Sequence, residues 1–259
     1  MNGKTNIELE YYNQKEVWKG YDNNIREIDR AKKTIDLIPD DVKSVLDIGC
    51  GNGVVTNMIR KPFVVGLDFA KIPLSQVKTS VIQASLDKLP IKSKKFDLII
   101  LTEVLEHLDD EIYIKAIEEI KRLKANYLLI TVPFNENTEL ELCKCGICGN
   151  LFNASHHYRK FDNSWFNKEF PDYELEKIEY ATYSTPPNEK LYALRHKFGV
   201  YAYSDVAVCN KCGNHPTHPN RLLRYMFSGL NLLDSNTKRF FKIKRPYHQM
   251  VLLKQREDN

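Results

Sequence analysis

Apolar residues recur at three- and four-residue steps through Ile25, Ile28, Ala31, Ile35 and Ile38, until Pro39 interrupts the pattern. This spacing predicts an amphipathic helix lying on the element that follows. Next come short, almost continuously apolar runs at 44–48, 63–67, 81–83, 96–101 and 127–132, separated by turn residues. Runs of that length without polar alternation mark strands covered on both faces, as in a parallel sheet. Between the last two, residues 110–124 place Tyr113, Ala116, Ile117, Ile120 and Leu123 on one helical face, with Asp109 or Asp110 available as N-cap. Strand, helix and strand in this order predict a doubly wound α/β domain.

After Pro133 the pattern gives way to segments rich in Cys, His, Asn and Phe. A helix at 163–170 and a strand at 173–183 resume it, a second interruption follows, and 248–254 is again strand-like. The expected organisation is an N-terminal helical cap at 1–40, a core made of 41–133, 163–183 and 246–256, and two insertions at 134–162 and 184–245.

Composition narrows the class. The 259 residues are 42% hydrophobic and 28% charged, enough for a sizeable core and unlike a disordered chain. No apolar run approaches the ~20 residues of a membrane span, and the N-terminal stretch MNGKTNIELEYY lacks an apolar secretory core. The expectation is a cytoplasmic protein. A net charge of +4 is too small to imply nucleic acid by itself.

Candidate chemistry begins at Val45-Leu46-Asp47-Ile48-Gly49-Cys50-Gly51-Asn52-Gly53, a strand that runs into a glycine turn and then, by expectation, a helix. Glycines at alternate positions let the backbone turn sharply and approach a ligand closely. Asp68 ends the next strand 19 residues after Gly49, the spacing at which a carboxylate meets a ribose diol in dinucleotide-type sites. The pattern is Gly-x-Gly-x-Gly, however, which weakens a nicotinamide reading.

The runs VLDIGCGNG, VVGLDFA and LDKLPIKSKKFDLIILTEVLEHL closely resemble the class I S-adenosylmethionine-dependent methyltransferases. The resemblance covers residues 41–133 and returns at 163–183 and 247–254. It implies a Rossmann-like, seven-stranded doubly wound sheet, with the insertions falling after strands five and six. It further implies that Asp47, Gly49, Gly51 and Gly53 line the methionine end of the cofactor, that Asp68 takes the ribose hydroxyls, and that Phe69 packs on adenine. Ser85 and Leu86 fall at the adenine edge, where the family often has Asp at the first position. Glu103 and Val104 follow strand four beside the cofactor.

Cys145-Gly-Ile-Cys148-Gly and Cys209-Asn-Lys-Cys212-Gly form two matched knuckles, 60 residues apart. Two such pairs suit a tetrahedral, structural Zn2+ with no position left for water. Redox thiols are the alternative, and Cys143 or the nearby His215 and His218 could replace one ligand. In the resembled fold both insertions emerge at the carboxyl end of the sheet, so zinc would staple two lids together over the acceptor.

The stretch from Phe152 to Phe161 resembles a His-x-Arg-x-Phe stretch found after such a knuckle in some of these methyltransferases. That places His157 as a general base and Arg159 as an acceptor-binding residue, with support of the zinc loop as their alternative role. His107, near the end of strand four, is the second candidate base and is otherwise a loop or helix-start residue near the cofactor. Tyr11, Tyr12 and Trp18 precede the first core helix and either cover the cofactor or pack on that helix. Residues 221–256 hold nine basic residues and one acidic, Asp234, around a helical apolar face. Such a helix either packs on the core or meets an anionic surface peripherally.

The leading reading is O-methylation of a sugar, glycan or other small hydroxyl-bearing acceptor. An RNA methyltransferase and a non-catalytic cofactor- and zinc-binding protein are the alternatives. Thr131-Val132-Pro133-Phe134 lacks the Asn/Asp-Pro-Pro-aromatic clamp for a base amino group, and no RNA-binding module is recognisable, which argues against nucleic acid.

Overall fold

The structure, a computed structural model, describes residues 3–256. Two short helices, α1 (Gly3–Tyr12) and α2 (Lys15–Trp18), precede α3 (Ile25–Ile35). Asn24 caps α3 by accepting a hydrogen bond from the Arg26 N–H at 3.0 Å. The core then runs β1 (Ser44–Ile48), β2 (Phe63–Asp68), α4 (Lys71–Leu74), β3 (Ser80–Gln83), β4 (Leu98–Thr102), α5 (Asp110–Leu123) and β5 (Tyr127–Pro133). A hairpin of β6 (Leu142–Lys144) and β7 (Leu151–Asn153) interrupts it before α6 (Trp165–Glu169) and β8 (Tyr173–Ser184). The second insertion carries α7 (Glu189–Lys197) and α8 (Arg221–Phe240), and β9 (Arg245–Gln255) closes the sheet.

The seven strands lie in the order β3-β2-β1-β4-β5-β9-β8. Strands β1 to β5 are parallel, while β9 runs antiparallel to both β5 and β8. Chain progress reverses between β1 and β4, so their carboxyl ends open the crevice where ligands bind in such sheets. Side chains alternate through the sheet. Leu46, Ile48, Ile99, Leu101, Leu128 and Ile130 face α5 and α6; Val45, Val64, Leu98, Ile100 and Leu129 face α3. Asp109 caps α5 through the Ile112 N–H at 3.0 Å, and Ala116, Ile117, Ile120 and Leu123 form its buried stripe.

Two crossovers lack a long helix, one of them where the sequence predicts it. After the glycine turn only a 3-10 turn, Thr56–Met58, forms where the sequence predicted a helix. Nine residues remain there before β2, with Pro62 among the last, too few for a full crossover helix. Between β3 and β4 the chain is coil, and Leu86, Leu89, Ile91 and Phe96 fill the space of a helix. Helix α5 pins that coil: Glu119 accepts from the Leu89 N–H at 2.8 Å, and Arg122 donates to the Leu89 and Ile91 carbonyls.

Candidate active site

The glycine turn sits at the carboxyl end of β1. Gly49, Gly51 and Gly53 all have positive φ, of 70°, 52° and 81°. A Cβ on Gly49 would fall 2.4 Å from a Val104 methyl, and one on Gly51 would fall 2.4 Å from the Trp18 ring. Glycine is therefore needed for close approach as well as for backbone conformation. Asp68 holds the turn: its Oδ2 accepts from the Gly51 N–H at 2.9 Å and its Oδ1 from the Ala70 N–H at 2.8 Å. Asp47 is fully buried and accepts from the Thr56 hydroxyl at 2.5 Å, while its other oxygen has no partner. Burial pushes its carboxyl up to about 7, against the lowering effect of the Thr56 bond.

The N-terminal aromatics cover this turn. Trp18 lies over Gly51, and Tyr12 meets the Phe69 ring edge-to-face at 5.6 Å and the His107 ring at 6.0 Å. Asn13 accepts from the Ile72 N–H at 3.0 Å, fastening the segment to α4. Ser85 lies half-buried just beyond β3, whereas the Leu86 side chain enters the core. The positive-φ glycines, the partnerless Asp47 oxygen and the Asp68 carboxylate make a cradle whose residues fit S-adenosylmethionine.

Beyond β4 the chain gathers acids and histidines. Glu103 takes φ +55°, its Oε2 lies 3.1 Å from His248 Nε2, and Arg30 lies 3.9 Å from its other oxygen. Burial works to raise its carboxyl, but His248 and Arg30 overcome this and hold it down at about 2. Glu106 is fully buried with neither oxygen hydrogen-bonded, and burial followed by Glu103 drives its carboxyl well above the usual range. Burial, aided by His157, pushes His107 down to about 3, so it is neutral near neutral pH. The His107 and His157 rings meet at 4.7 Å. His157 Nδ1 lies 2.5 Å from Glu136 Oε2, and the Tyr247 hydroxyl donates to the other Glu136 oxygen at 3.2 Å. One ligand atom each from Glu106, His107 and His157 fall within 4.8 Å of one another, a group that could hold a metal ion.

The insertions meet above this site. The Cys145 and Cys212 sulfurs lie 3.5 Å apart, Cys148 and Cys209 3.7 Å, and Cys148 and Cys212 3.4 Å. Tetrahedral Zn–S bonds of about 2.3 Å place sulfurs just under 4 Å apart, so donor set and spacing fit Zn2+. The Ile147 and Lys211 N–H groups point at Cys145 and Cys209 sulfur at 3.5 Å, and Gly149 and Gly213 take positive φ beneath the knuckles. Cys143 stays outside the four-sulfur group in the lid's small apolar core. His215 contacts the Ala207 carbonyl and His218 stacks on Tyr203, so neither joins the sulfurs. The Ala202 and Thr217 N–H groups donate to the Leu142 and Lys144 carbonyls, tying the insertions together independently of any ion.

Arg159 has a different neighbourhood from the acceptor contact expected of it. Its guanidinium donates to the Leu105 carbonyl at 2.7 Å and the Leu108 carbonyl at 2.5 Å, pairs with Asp110 at 2.9 Å, and lies over the Tyr113 ring. It braces the turn that carries Glu106 and His107.

Comparison with known proteins agrees with this geometry. Residues 46–126 match the methyltransferase domain family. An Archaeoglobus fulgidus S-adenosylmethionine-dependent methyltransferase superposes with a TM-score of 0.52 at 15% identity, covering 92% of this chain and 98% of that one. The family match is confined to residues 46–126, and the sheet that contains them has the class I methyltransferase fold. A Burkholderia thailandensis 1,6-didemethyltoxoflavin N1-methyltransferase, solved with S-adenosylhomocysteine, superposes with a TM-score of 0.53 at 11% identity, covering 98% and 87% of the two chains. Among curated proteins, an uncharacterised Methanocaldococcus jannaschii protein is 37% identical over 36% of this chain and 42% of its own length. A ubiquinone biosynthesis O-methyltransferase from Bartonella quintana is 29% identical over 49% of this chain and 57% of its own. The chain spans about half the length of the curated relatives it matches.

Several residues of the candidate site are not among those that the sequence motifs single out. Glu106 stands within the very run that carries the resemblance, and its three-residue offset from Glu103 was the available signal. Glu136, Tyr247 and His248 come from the ends of β5 and β9 and share nothing local with His157 or Glu103. Only the antiparallel pairing that sets Pro133 opposite His248 brings them in.

Proposed function

We propose that this protein transfers a methyl group from S-adenosylmethionine to the hydroxyl of a small acceptor, a sugar, glycan or similar molecule. The observation that carries this reading is His157, held by Glu136 beside buried Glu106 and His107 at the carboxyl end of the sheet. When bound, the cofactor supplies a sulfonium-activated methyl group. Asp68, Asp47 and the glycine turn would hold it, with Phe69 and Ser85 toward the adenine end. Glu136 accepts the His157 Nδ1–H, which fixes the tautomer and leaves Nε2 as proton acceptor. The acceptor hydroxyl loses its proton to that nitrogen as its oxygen attacks, so His157 serves a reaction in which alignment supplies most of the rate. The curated relatives named as O-methyltransferases support the same acceptor atom.

A second reading rests on Glu106. A buried carboxyl beside a second acid, as Glu106 is beside Glu103, is either protonated or neutralised by a cation. A divalent ion among Glu106, His107 and His157 would acidify an acceptor hydroxyl in place of a protein base.

Labelled S-adenosylmethionine tested against nucleotide sugars, oligosaccharides, small phenols and RNA identifies the acceptor. With that acceptor, His157→Gln is expected to lower turnover ~100-fold or more while cofactor affinity is unchanged. Transfer to RNA alone overturns the small-acceptor reading. Loss of turnover in chelator, restored by an added divalent ion while the four-thiolate site stays loaded, selects the cation reading.

A further inference from the structure

Helix α8 is 20 residues long, yet Phe227 is its one buried residue. One side ties it to the insertion. Asp234 accepts from Asn188 at 3.0 Å and pairs with Lys238 at 2.6 Å; Lys238 also donates to the Pro186 carbonyl, and Phe227 meets Phe198 at 6.0 Å. At 100° per residue these anchors share one flank. The opposite flank consists of Leu222, Tyr225, Met226, Leu232, Leu233 and Phe240, exposed by 49% to 81%. Phe241 and Ile243 extend the exposed apolar stretch beyond the helix end.

The charges around this stripe have one sign. Arg221, Arg224 and Arg239 border it, and Lys242 and Lys244 follow it, all exposed. The single acid, Asp234, sits on the anchored flank and is neutralised by Lys238. An amphipathic helix of a self-contained domain turns its apolar face inward; this one is fastened by its polar side and turns the apolar face out. No helix among the described residues is long and apolar enough to cross a membrane.

We propose that α8 seats the protein on a bilayer surface containing anionic lipid. The apolar stripe enters the boundary between headgroups and acyl chains while the arginines and lysines meet phosphates. Charge complementarity decides the occupant. Two copies joined through this face would bring like-charged rims together with no acidic residue on the stripe to offset them. The insertion leaves β8 and re-enters at β9 at the same end of the sheet as the glycine turn and the Glu106 cluster, so the seat is rooted at the acceptor side.

Flotation of the full chain with vesicles tests this without any acceptor. The protein is expected to float with vesicles of mixed phosphatidylcholine and phosphatidylglycerol and to stay behind with phosphatidylcholine alone. A triple Arg221→Gln, Arg224→Gln, Arg239→Gln variant should partition at least about tenfold less. A Leu222→Ser, Leu233→Ser, Phe240→Ser variant should lose partitioning by a similar factor, because its apolar area is what enters the bilayer. Both should keep the wild-type melting temperature and cofactor affinity, since the altered side chains face outward. Absence of the wild type from mixed vesicles, or equal partitioning of either variant, overturns the proposal. A concentration-dependent dimer abolished by Leu233→Ser would assign the face to a second copy and also overturn it.

Discussion

Asp68 holds the glycine turn and, in the proposed reading, takes the ribose with the same carboxylate. Each oxygen already accepts a backbone N–H, which sets the position of Gly51, and each retains a lone pair for a ribose hydroxyl. Asp68→Ala removes both functions together, so calorimetry should show S-adenosylmethionine binding weakened more than about tenfold; unchanged affinity would remove Asp68 from the cofactor site. Asp47 offers a pH test. Its folded-state carboxyl, raised to about 7, binds a proton that the unfolded chain releases near its ordinary value. The stabilisation this gives is complete below the unfolded value and is lost as pH rises through about 7. Unfolding by denaturant should therefore show the wild type losing more stability than Asp47→Asn between about pH 5 and about pH 8. Equal losses in the two proteins would contradict the burial argument.

At the scale of elements, the usual order of strand, glycine turn and helix is shortened. Without a long helix after Gly53, the turn is held by Asp68 beneath it and by Trp18 and Tyr12 above. In the proposed reading the N-terminal segment forms part of the cofactor site, although it precedes the core in sequence. The chain has two tryptophans, and Trp165 lies among Phe161, Phe166 and Phe170 with its N–H bonded to the Tyr113 hydroxyl. Intrinsic fluorescence should change on addition of S-adenosylmethionine through Trp18, and Trp18→Phe should abolish the change. A signal that persists in that variant would place the segment away from the ligand.

For the whole molecule, the sheet and the lid have separate apolar clusters. Two flank the sheet, and a small one of Cys143, Cys145, Phe152, Ala207 and Cys209 lies within the insertions. The lid cluster is too small to hold two long insertions by burial alone, so a tetrahedral ion would supply much of its order. Metal analysis should find one Zn2+ per chain, and Cys209→Ser should lose it. Limited proteolysis of that variant should cut within the insertions first and leave the sheet able to bind cofactor. A metal-free wild type, or collapse of sheet and lid in one step, would count against this division.

Local chemistry made the core legible. Continuous apolar runs, glycines at alternate positions and an acid at the end of the second strand are written in adjacent residues, so the sheet, the glycine turn and Asp68 could be read from the chain alone. The paired knuckles marked the four cysteines, because ligand spacing on one turn is also local. Only the tertiary structure decided which groups face one another over long separations. His248 reaches Glu103 because β9 pairs antiparallel with β5, and Glu136 reaches His157 across the first insertion. Arg159, read as an acceptor contact, braces the Glu106 turn because a guanidinium settles where carbonyls converge, and sequence does not report their positions. The same holds for α8: periodicity revealed an apolar face, but whether it turns inward or outward depends on where its polar side is anchored, which Asp234, Lys238 and Asn188 settle in space.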